Sequence, residues 1–322
     1  MTFPFMKRAI QIAQAQNPHI TGPNPRVGCV IAKESEVIAE GVTQAYGLAH
    51  AEASALNGIT SLKGCDIYVT LEPCDHFRGK QTPSCTQTII AAQPDSVIIG
   101  CLDPLFEGKN AAKIKEAGIK VQILGDPECE ALNPFFTKYI TTKKPYLTLK
   151  VAQSLDGRIT SNTQYITNEI SRQKVHEMRA QYSAILTTTQ TIMADNPKLD
   201  VRMEGRPNPT QPAIIILGKT KLDPTLNIFQ IPNREVRQFD DLETLYKSDA
   251  IKKIDSIMTE CGTTMNDALL EAKLIDEIRL FTAPIILGSG QNAFTQTHRL
   301  TAFKMIQSQD LEGDILQVFR IN

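Results

Sequence analysis

Three short segments of this chain are the most informative about its fold: His50-Ala51-Glu52, Thr70-Leu71-Glu72-Pro73-Cys74 and Thr82-Pro83-Ser84-Cys85. One imidazole and two thiolates are ligands that zinc prefers, and three protein ligands leave the fourth tetrahedral position open. We therefore predict a catalytic zinc site bound by His50, Cys74 and Cys85. Zinc lowers the pKa of a bound water to about 7, so hydroxide is available there at neutral pH.

A proton carrier is present two residues after the predicted histidine ligand. Zinc deaminases use a glutamate that is not a ligand, in a His-x-Glu and Pro-Cys pattern, to move protons during hydrolysis. Glu52 occupies that place in this sequence. We predict that Glu52 is the catalytic acid and base.

Two other interpretations of these residues stay open. His76 lies between the two cysteines and could be a fourth ligand, which would close the site into a structural zinc. Alternatively, the cysteines could be unrelated core residues. Neither interpretation requires Glu52.

Local patterns place these residues on predicted elements. Residues 67–71 form an apolar run typical of a buried strand, and residues 49–58 are predicted to form a helix that carries His50 and Glu52. Pro73 suits the first turn of a helix, which would put Cys74 at a helix N-terminus. Strands alternate with helices up to residue 124, so we predict a layered α/β domain with a largely parallel sheet.

Composition limits the class of protein. The 322 residues suffice for two domains, and the polar segment 141–145 ends in proline, as linkers often do. A net charge of −1 gives no electrostatic reason to expect a nucleic-acid partner. No apolar run approaches the roughly 20 residues of a membrane span. Seven scattered cysteines without a signal peptide predict a cytoplasmic protein with reduced thiols.

The spacing of the cysteines narrows the class further. Ten residues separate Cys74 from Cys85, and Pro23-Asn24-Pro25-Arg26-Val27-Gly28-Cys29-Val30 lies upstream. In both features the chain resembles the deaminase half of the bifunctional riboflavin-biosynthesis deaminase-reductase family, although the loop 77–83 is longer than usual for that family. The resemblance implies a cytidine-deaminase-like α/β/α fold and a zinc-dependent pyrimidine deaminase domain over residues 1–144. It also implies that Asn24 contacts the substrate; the alternative is a turn residue that binds its own backbone. We further predict a substrate contact by His76, because it lies inside the metal-binding loop; the alternative is an ordinary loop histidine.

The second half resembles the reductase half of the same family. The resemblance rests on Ser154-Leu155-Asp156-Gly157-Arg158-Ile159 and on Ala194-Asp195-Asn196-Pro197-Lys198-Leu199-Asp200-Val201-Arg202. It implies a dihydrofolate-reductase-like α/β fold and an NADPH-dependent reductase domain over residues 145–322. It places NADPH near residues spread over this half, namely Ala152, Tyr165, Thr191, Asp195, Gly218, Gly262, Thr263 and Thr264. It places substrate near Thr163, Arg179, Leu199, Arg202 and Glu260.

Physical chemistry supports part of this assignment. Gly262 precedes a predicted helix at 266–274, and a glycine turn at a helix N-terminus presents free N–H groups to a phosphate. The guanidinium groups of Arg179 and Arg202 suit a ribose phosphate. Without the resemblance, Gly262 also fits an ordinary strand-to-helix turn, and Arg179 and Arg202 also fit exposed salt bridges. No acid or base for a reduction step is evident in the sequence.

The family resemblance implies a two-step enzyme. Zinc would first deaminate a diaminopyrimidine that carries ribose phosphate, and NADPH would then reduce the ribose to a ribityl chain. The expected partners are this small-molecule substrate and further copies of the chain in a homo-oligomer. Tyr165 stands where the family usually has tryptophan, and Cys261 where it has glycine. Such departures leave open a deaminase whose second half is a non-catalytic binding or dimerisation module. A deaminase of RNA or nucleosides is a further alternative, which the near-neutral charge and the absence of tryptophan disfavour.

Overall fold

The computed structural model describes residues 3–76, 82–160, 165–203, 205, 209–295 and 302–321. The chain divides into two compact units, Met1–Lys143 and Lys144–Asn322. Within the described ranges no helix is long and apolar enough to cross a membrane.

The first unit alternates helices and strands. Its helices are α1 (Pro4–Gln14), α2 (Pro18–Thr21), α3 (Ala51–Ala55), α4 (Cys85–Ala92), α5 (Lys109–Glu116), α6 (Pro127–Ala131) and α7 (Pro134–Thr142). Its strands are β1 (Gly28–Lys33), β2 (Glu36–Val42), β3 (Asp66–Leu71), β4 (Ser96–Cys101) and β5 (Lys120–Ile123).

These strands form a mixed sheet in the order β2-β1-β3-β4-β5. Strand β1 is antiparallel to both β2 and β3, whereas β3, β4 and β5 are parallel. The prediction of a largely parallel sheet was therefore wrong at one end. Only Glu34 and Ser35 separate β1 from β2, and so short a connection can join antiparallel strands only.

Helices cover both faces of this sheet. A Cβ atom built on Gly28 would lie 2.0 Å from the Ala9 carbonyl oxygen of α1, and one built on Gly41 would lie 2.2 Å from the Ala51 carbonyl oxygen of α3. Gly41 pairs with Cys29, the neighbour of Gly28, so α1 and α3 lie on opposite faces. This arrangement confirms the predicted α/β/α layering.

The second unit contains four α-helices and eight strands among its described residues. The helices are α8 (Glu169–Arg179), α9 (Thr189–Asp195), α10 (Leu242–Lys247) and α11 (Thr263–Glu271). The strands are β6 (Tyr146–Ser154), β7 (Ala184–Thr188), β8 (Ala213–Leu217), β9 (Val236–Phe239), β10 (Ser256–Thr259), β11 (Glu277–Ala283), β12 (Phe303–Leu311) and β13 (Asp314–Ile321).

The eight strands form one sheet in the order β12-β13-β11-β6-β10-β7-β8-β9. The six strands from β11 to β9 are parallel, and β13 and β12 add an antiparallel ribbon at one edge. After β7 the chain proceeds toward β8, whereas after β10 it proceeds in the opposite direction to β11. The adjacent strands β7 and β10 therefore mark the point where the strand order reverses, and open α/β sheets bind ligands at the carboxyl ends of such strands.

Alternate residues of β6 serve different purposes. Leu147, Leu149 and Val151 belong to an apolar cluster that includes Leu269 of α11. On the other face, Thr148 accepts a hydrogen bond from the buried Tyr182 hydroxyl at 2.8 Å, and Lys150 is directed toward Glu260. The period of two along β6 thus separates the apolar core from a polar layer.

Candidate active sites

Three side chains of the first unit converge as a metal site requires. The Nδ1 atom of His50 lies 3.2 Å from the Cys74 sulfur and 3.5 Å from the Cys85 sulfur, and the two sulfurs are 3.4 Å apart. Tetrahedral zinc with ordinary bond lengths would separate nitrogen from sulfur by about 3.6 Å and the two sulfurs by about 3.8 Å. The ligand set and its spacing therefore fit zinc.

Each ligand is held by a different kind of segment. His50 is the N-cap residue of α3, and Cys85 is the first residue of α4. Cys74 follows β3 in a segment that is neither helix nor strand, so the predicted helix at Pro73 was wrong. The N-terminal helix position belongs to Cys85, because Ser84 caps α4 by accepting a hydrogen bond from the Gln87 N–H at 3.0 Å. Helix α3 is also shorter than the predicted 49–58.

Thr82 fixes the orientation of the histidine ring. Its hydroxyl lies 3.2 Å from Nε2 of His50, on the opposite side of the ring from the sulfurs. When Nδ1 offers its lone pair to a metal, Nε2 carries the proton and donates it to this hydroxyl. Histidine ligands usually have such a partner, which fixes the tautomer and the plane of the ring.

Glu52 lies beside this group and is almost fully buried, with 4% of its surface exposed. Burial, and then the nearby Cys74 thiolate, raise the pKa of Glu52 to about 7. Glu52, His50 and Cys74 all line one cavity. A buried carboxyl group with a pKa near neutrality can both accept and return a proton.

The remaining wall of the cavity is partly apolar and partly acidic. Asn24 lines it, as does Asp103 at the end of β4, together with Leu71, Phe106 and Phe136. Burial, and then the charges of Glu72 and Cys74, raise the pKa of Asp103 to about 6. A cavity with few polar groups on an apolar wall suits a small planar heterocycle.

In the second unit, a partly buried ionic cluster lies where β10 ends. The guanidinium of Arg179 donates two hydrogen bonds to the Glu260 carboxylate, at 2.6 and 2.9 Å, and Lys150 Nζ lies 3.5 Å from the same carboxylate. Burial alone would raise the pKa of Glu260, but the charges of Arg179 and Lys150 and their hydrogen bonds hold it at about 2. Burial lowers the pKa of Lys150 despite this neighbour.

Helix α11 begins beside this cluster. Gly262 is its N-cap residue, with no side-chain hydrogen bond to the helix, and a Cβ atom built there would meet nothing within 4 Å. The backbone φ of −84° suits any amino acid, so the conformation does not require glycine. Open space at a helix N-terminus fits a phosphate group of a nucleotide cofactor.

Two family models match the chain. One, described as the cytidine and deoxycytidylate deaminase zinc-binding region, matches residues 3–101, and the other, described as the RibD C-terminal domain, matches residues 145–317. The riboflavin biosynthesis protein RibD of Actinobacillus pleuropneumoniae is 35% identical to the chain, over 89% of this chain and 85% of that protein. The chain belongs to the RibD family.

Other members of the RibD family are also similar to this chain over most of its length. The Escherichia coli RibD is 35% identical over 88% of each chain. A solved Acinetobacter baumannii RibD structure has a TM-score of 0.86, 31% identity and coverage of 99% and 98%. A Thermotoga maritima structure, described as a diaminohydroxyphosphoribosylaminopyrimidine deaminase and 5-amino-6-(5-phosphoribosylamino)uracil reductase, has a TM-score of 0.85, 31% identity and the same coverage. Like its relatives, this chain is a bifunctional enzyme with a zinc-binding deaminase half and a reductase half.

Most site residues predicted for the RibD reductase half follow the carboxyl ends of parallel strands. Ala152 lies near the end of β6, Gly218 follows β8, and Gly262, Thr263 and Thr264 follow β10. Thr191 and Asp195 lie on α9, which follows β7. Tyr165 is exposed, and the guanidinium of Arg172 lies 4.5 Å from the centre of its ring. Thr163 and residues 77–81 of the predicted long loop lie outside the described residues.

The arginines predicted to bind phosphate are placed differently from each other. The guanidinium of Arg179 already has protein partners: besides its two hydrogen bonds to Glu260, it donates to the Asp200 carbonyl at 3.0 Å. Arg202 is largely exposed and donates to Nε2 of His176 at 3.2 Å. Leu199, by contrast, is buried with a φ of 46°.

Sequence reasoning missed three residues of these sites, Thr82, Asp103 and Lys150. A signal was available for Lys150, which interrupts an apolar strand and so places a charge where a charge is costly. Asp103 follows an apolar strand before a proline, which is typical of a site residue. His76 is exposed, and the metal-ligand group found among the described residues does not include it.

Proposed function

We propose that the first half, residues 1–144, removes ammonia from a diaminohydroxypyrimidine that carries ribose phosphate. The observation that carries this proposal is the triangle of His50, Cys74 and Cys85 with the buried carboxyl of Glu52 at the same cavity. The Thermotoga maritima relative, whose name includes a deaminase of a phosphoribosylaminopyrimidine, supports the same substrate class.

In this proposal the protein supplies ligands and proton transfer. His50, Cys74 and Cys85 would hold the zinc ion, which would supply an activated water at neutral pH. Glu52 would accept one proton of that water and pass it to a ring nitrogen, and would then take the second proton from the added hydroxyl group and deliver it to the departing amine, which leaves as ammonia. Asn24 and Asp103 orient the heterocycle by hydrogen bonds from the cavity wall, and the apolar wall excludes bulk water. His76 is proposed as a further substrate contact from the edge of the site.

We propose that the second half, residues 145–322, reduces the ribosyl group of the deaminated product. NADPH supplies the hydride when it is bound. The open N-terminus of α11 at Gly262, Thr263 and Thr264 would hold a phosphate of this cofactor. Ala152, Tyr165, Thr191, Asp195 and Gly218 would line the remaining cofactor site.

The substrate in this half would be held near the ionic cluster. Thr163, Leu199 and Arg202 would bind it, and Arg179 would act through Glu260. Lys150 would be the acid or base of this step, because its Nζ lies 3.5 Å from the Glu260 carboxylate and burial lowers its pKa. We further propose that the protein works in the cytoplasm as a homo-oligomer on small molecules, without a nucleic-acid or membrane partner.

Product analysis by mass spectrometry tests both halves of the proposal. Purified enzyme is given zinc and the diaminopyrimidine ribose phosphate, with and without NADPH. We expect the deaminated product in both samples and the reduced ribityl product only when NADPH is present. Failure to release ammonia would refute the deaminase, and deamination that is never followed by reduction would favour a non-catalytic second half.

A further inference from the structure

The two residues that flank the sulfur ligands bind each other. Asp75 follows Cys74, Ser84 precedes Cys85, and the Ser84 hydroxyl donates to Oδ1 of Asp75 at 2.8 Å. Both residues are buried. Together with hydrogen bonds that Thr86 donates to the Cys74 carbonyl, this contact joins the segment that carries one sulfur to the segment that carries the other.

A lysine from a third segment completes the contact. Lys113 on α5 donates to the other oxygen of Asp75, Oδ2, at 2.6 Å, and the His76 N–H donates to Oδ1 at 2.7 Å. The Lys113 side chain is half exposed, whereas that of Asp75 is 9% exposed. Hydrogen bonds between charged partners are short and strong, so Asp75 is held from several directions at once.

Helix α5 also binds the two residues that precede Cys74 in the chain. The Glu72 carboxylate accepts hydrogen bonds from the N–H groups of Gly108, Asn110 and Ala111, at 2.9 to 3.1 Å, and the Asn110 side chain donates to the Pro73 carbonyl at 3.0 Å. A carboxylate at a helix N-terminus is also favoured by the helix dipole. The α5 helix therefore holds the chain both before and after Cys74.

We propose that Asp75, Ser84 and Lys113 form a positioning bracket that holds the Cys74 and Cys85 sulfurs close together for zinc. Two thiolates 3.4 Å apart repel each other, so something other than their own interaction must keep them close. Asp75 joins the two sulfur-bearing segments and Lys113 anchors them to α5. The bracket touches neither substrate nor metal. This inference rests on the proposed zinc centre.

The test uses full-length protein loaded with zinc and compares two lysines of one helix. Lys113→Met removes the anchor, and Lys115→Met removes an exposed lysine of α5 that contributes nothing to the bracket. Release of zinc to an excess of chelator is followed with a metal-sensitive dye. We expect zinc release to be about 10-fold faster in Lys113→Met, as for other residues that support metal ligands. Lys115→Met should stay within about twofold of wild type, and Lys113→Arg should restore most of the loss.

A second variant and a spectroscopic measurement separate positioning from general stability. Asp75→Asn should also accelerate zinc release, and combining it with Lys113→Met should add little, since both changes break one unit. Cobalt-substituted protein should show altered ligand-field bands in both variants. Zinc release and cobalt spectra like those of wild type would overturn the bracket, even if the thermal stability of the zinc-free protein fell. A wild-type chain that binds no zinc would refute the metal centre itself, and the bracket with it.

Discussion

At the scale of single residues, the deaminase site depends on a carboxyl group kept away from water. Glu52 is the second residue of α3, only two residues from the His50 ligand, so the start of one short helix places both groups at the cavity. An exposed glutamate would be ionised at neutral pH and a weak acid catalyst. Burial removes that difficulty by raising its pKa.

Replacing Glu52 by glutamine should separate metal binding from proton transfer. Because Glu52 is not a ligand, we expect Glu52→Gln to retain zinc and to lose ammonia release by about 100-fold or more. Zinc is measured by elemental analysis, and ammonia by a coupled assay. Glu116→Gln, at an exposed position of α5, is the matched control. Deamination near the wild-type rate by the Glu52 variant would remove the proposed mechanism.

Glu260 should make the stability of the protein depend on pH. Its pKa in the folded chain, about 2, lies below the ordinary value of 4.5, so ionised Glu260 stabilises the fold above about pH 4.5. That stabilisation is lost as the pH falls from 4.5 toward 2. We expect the free energy of unfolding of Glu260→Gln to be lower than that of wild type at neutral pH, and less dependent on pH in this interval.

Urea unfolding between pH 2.5 and 6, followed by circular dichroism, measures this dependence. Glu271→Gln, at an exposed residue of α11, should keep the wild-type slope. Equal slopes for Glu260→Gln and wild type would show that the pKa of Glu260 is not depressed in the folded chain.

At the scale of elements, two glycines that follow β8 and β10, strands separated in the sheet by β7, serve opposite purposes. Gly218 has a φ of +130°, and a Cβ atom there would lie 2.3 Å from Oγ1 of Thr189, so the fold itself requires glycine. Gly262 has an ordinary φ and open space around it. Glycine at 262 therefore leaves room for a ligand at the start of α11.

The two glycines should respond differently to substitution. We expect Gly262→Val to change the free energy of unfolding by no more than about 1 kcal/mol, yet to weaken NADPH binding by about 10-fold or more, because its side chain fills the phosphate space. Gly218→Ala should cost about 1–3 kcal/mol of stability. Fluorescence titration with NADPH and thermal unfolding give the two measurements. Normal NADPH affinity in Gly262→Val would place the phosphate elsewhere.

At the scale of the whole molecule, each unit has its own sheet, its own apolar core and its own candidate site. The apolar core of the first unit is formed by residues between Met6 and Phe136, and the second unit has clusters around β6 and β7. A domain with its own core keeps its structure when a residue of the other domain is changed. The two activities should therefore be separable by single substitutions.

Two variants of the full chain test this separation. Glu52→Gln should still reduce deaminated substrate when NADPH is supplied, and Gly262→Val should still release ammonia at the wild-type rate. Product analysis by mass spectrometry measures both rates in one sample. Loss of deamination in Gly262→Val would mean that the halves depend on each other.

Much of this protein could be predicted from the order of its residues alone. The three candidate zinc ligands, which the fold brings together, were predicted from residue type and spacing, because metal chemistry accepts few side chains. Most strands were found from apolar runs, since burial on a sheet leaves a local signal in the sequence. The two-domain fold and the two activities followed from motifs that resemble one family, and the comparisons confirm them.

Tertiary structure decided what depends on residues distant in the chain. The sequence around Asp75 does not indicate its ion pair with Lys113, and the sequence around Lys150 does not indicate its ion pair with Glu260. The orientation of the His50 ring likewise depends on Thr82, which is 32 positions away. The helix predicted at Pro73 was wrong: the Pro73 carbonyl instead accepts hydrogen bonds from the side chains of Thr86 and Asn110, which are distant in the sequence. Side-chain type and periodicity are local properties, whereas distances, burial and the pKa values that follow from them exist only after the chain has folded.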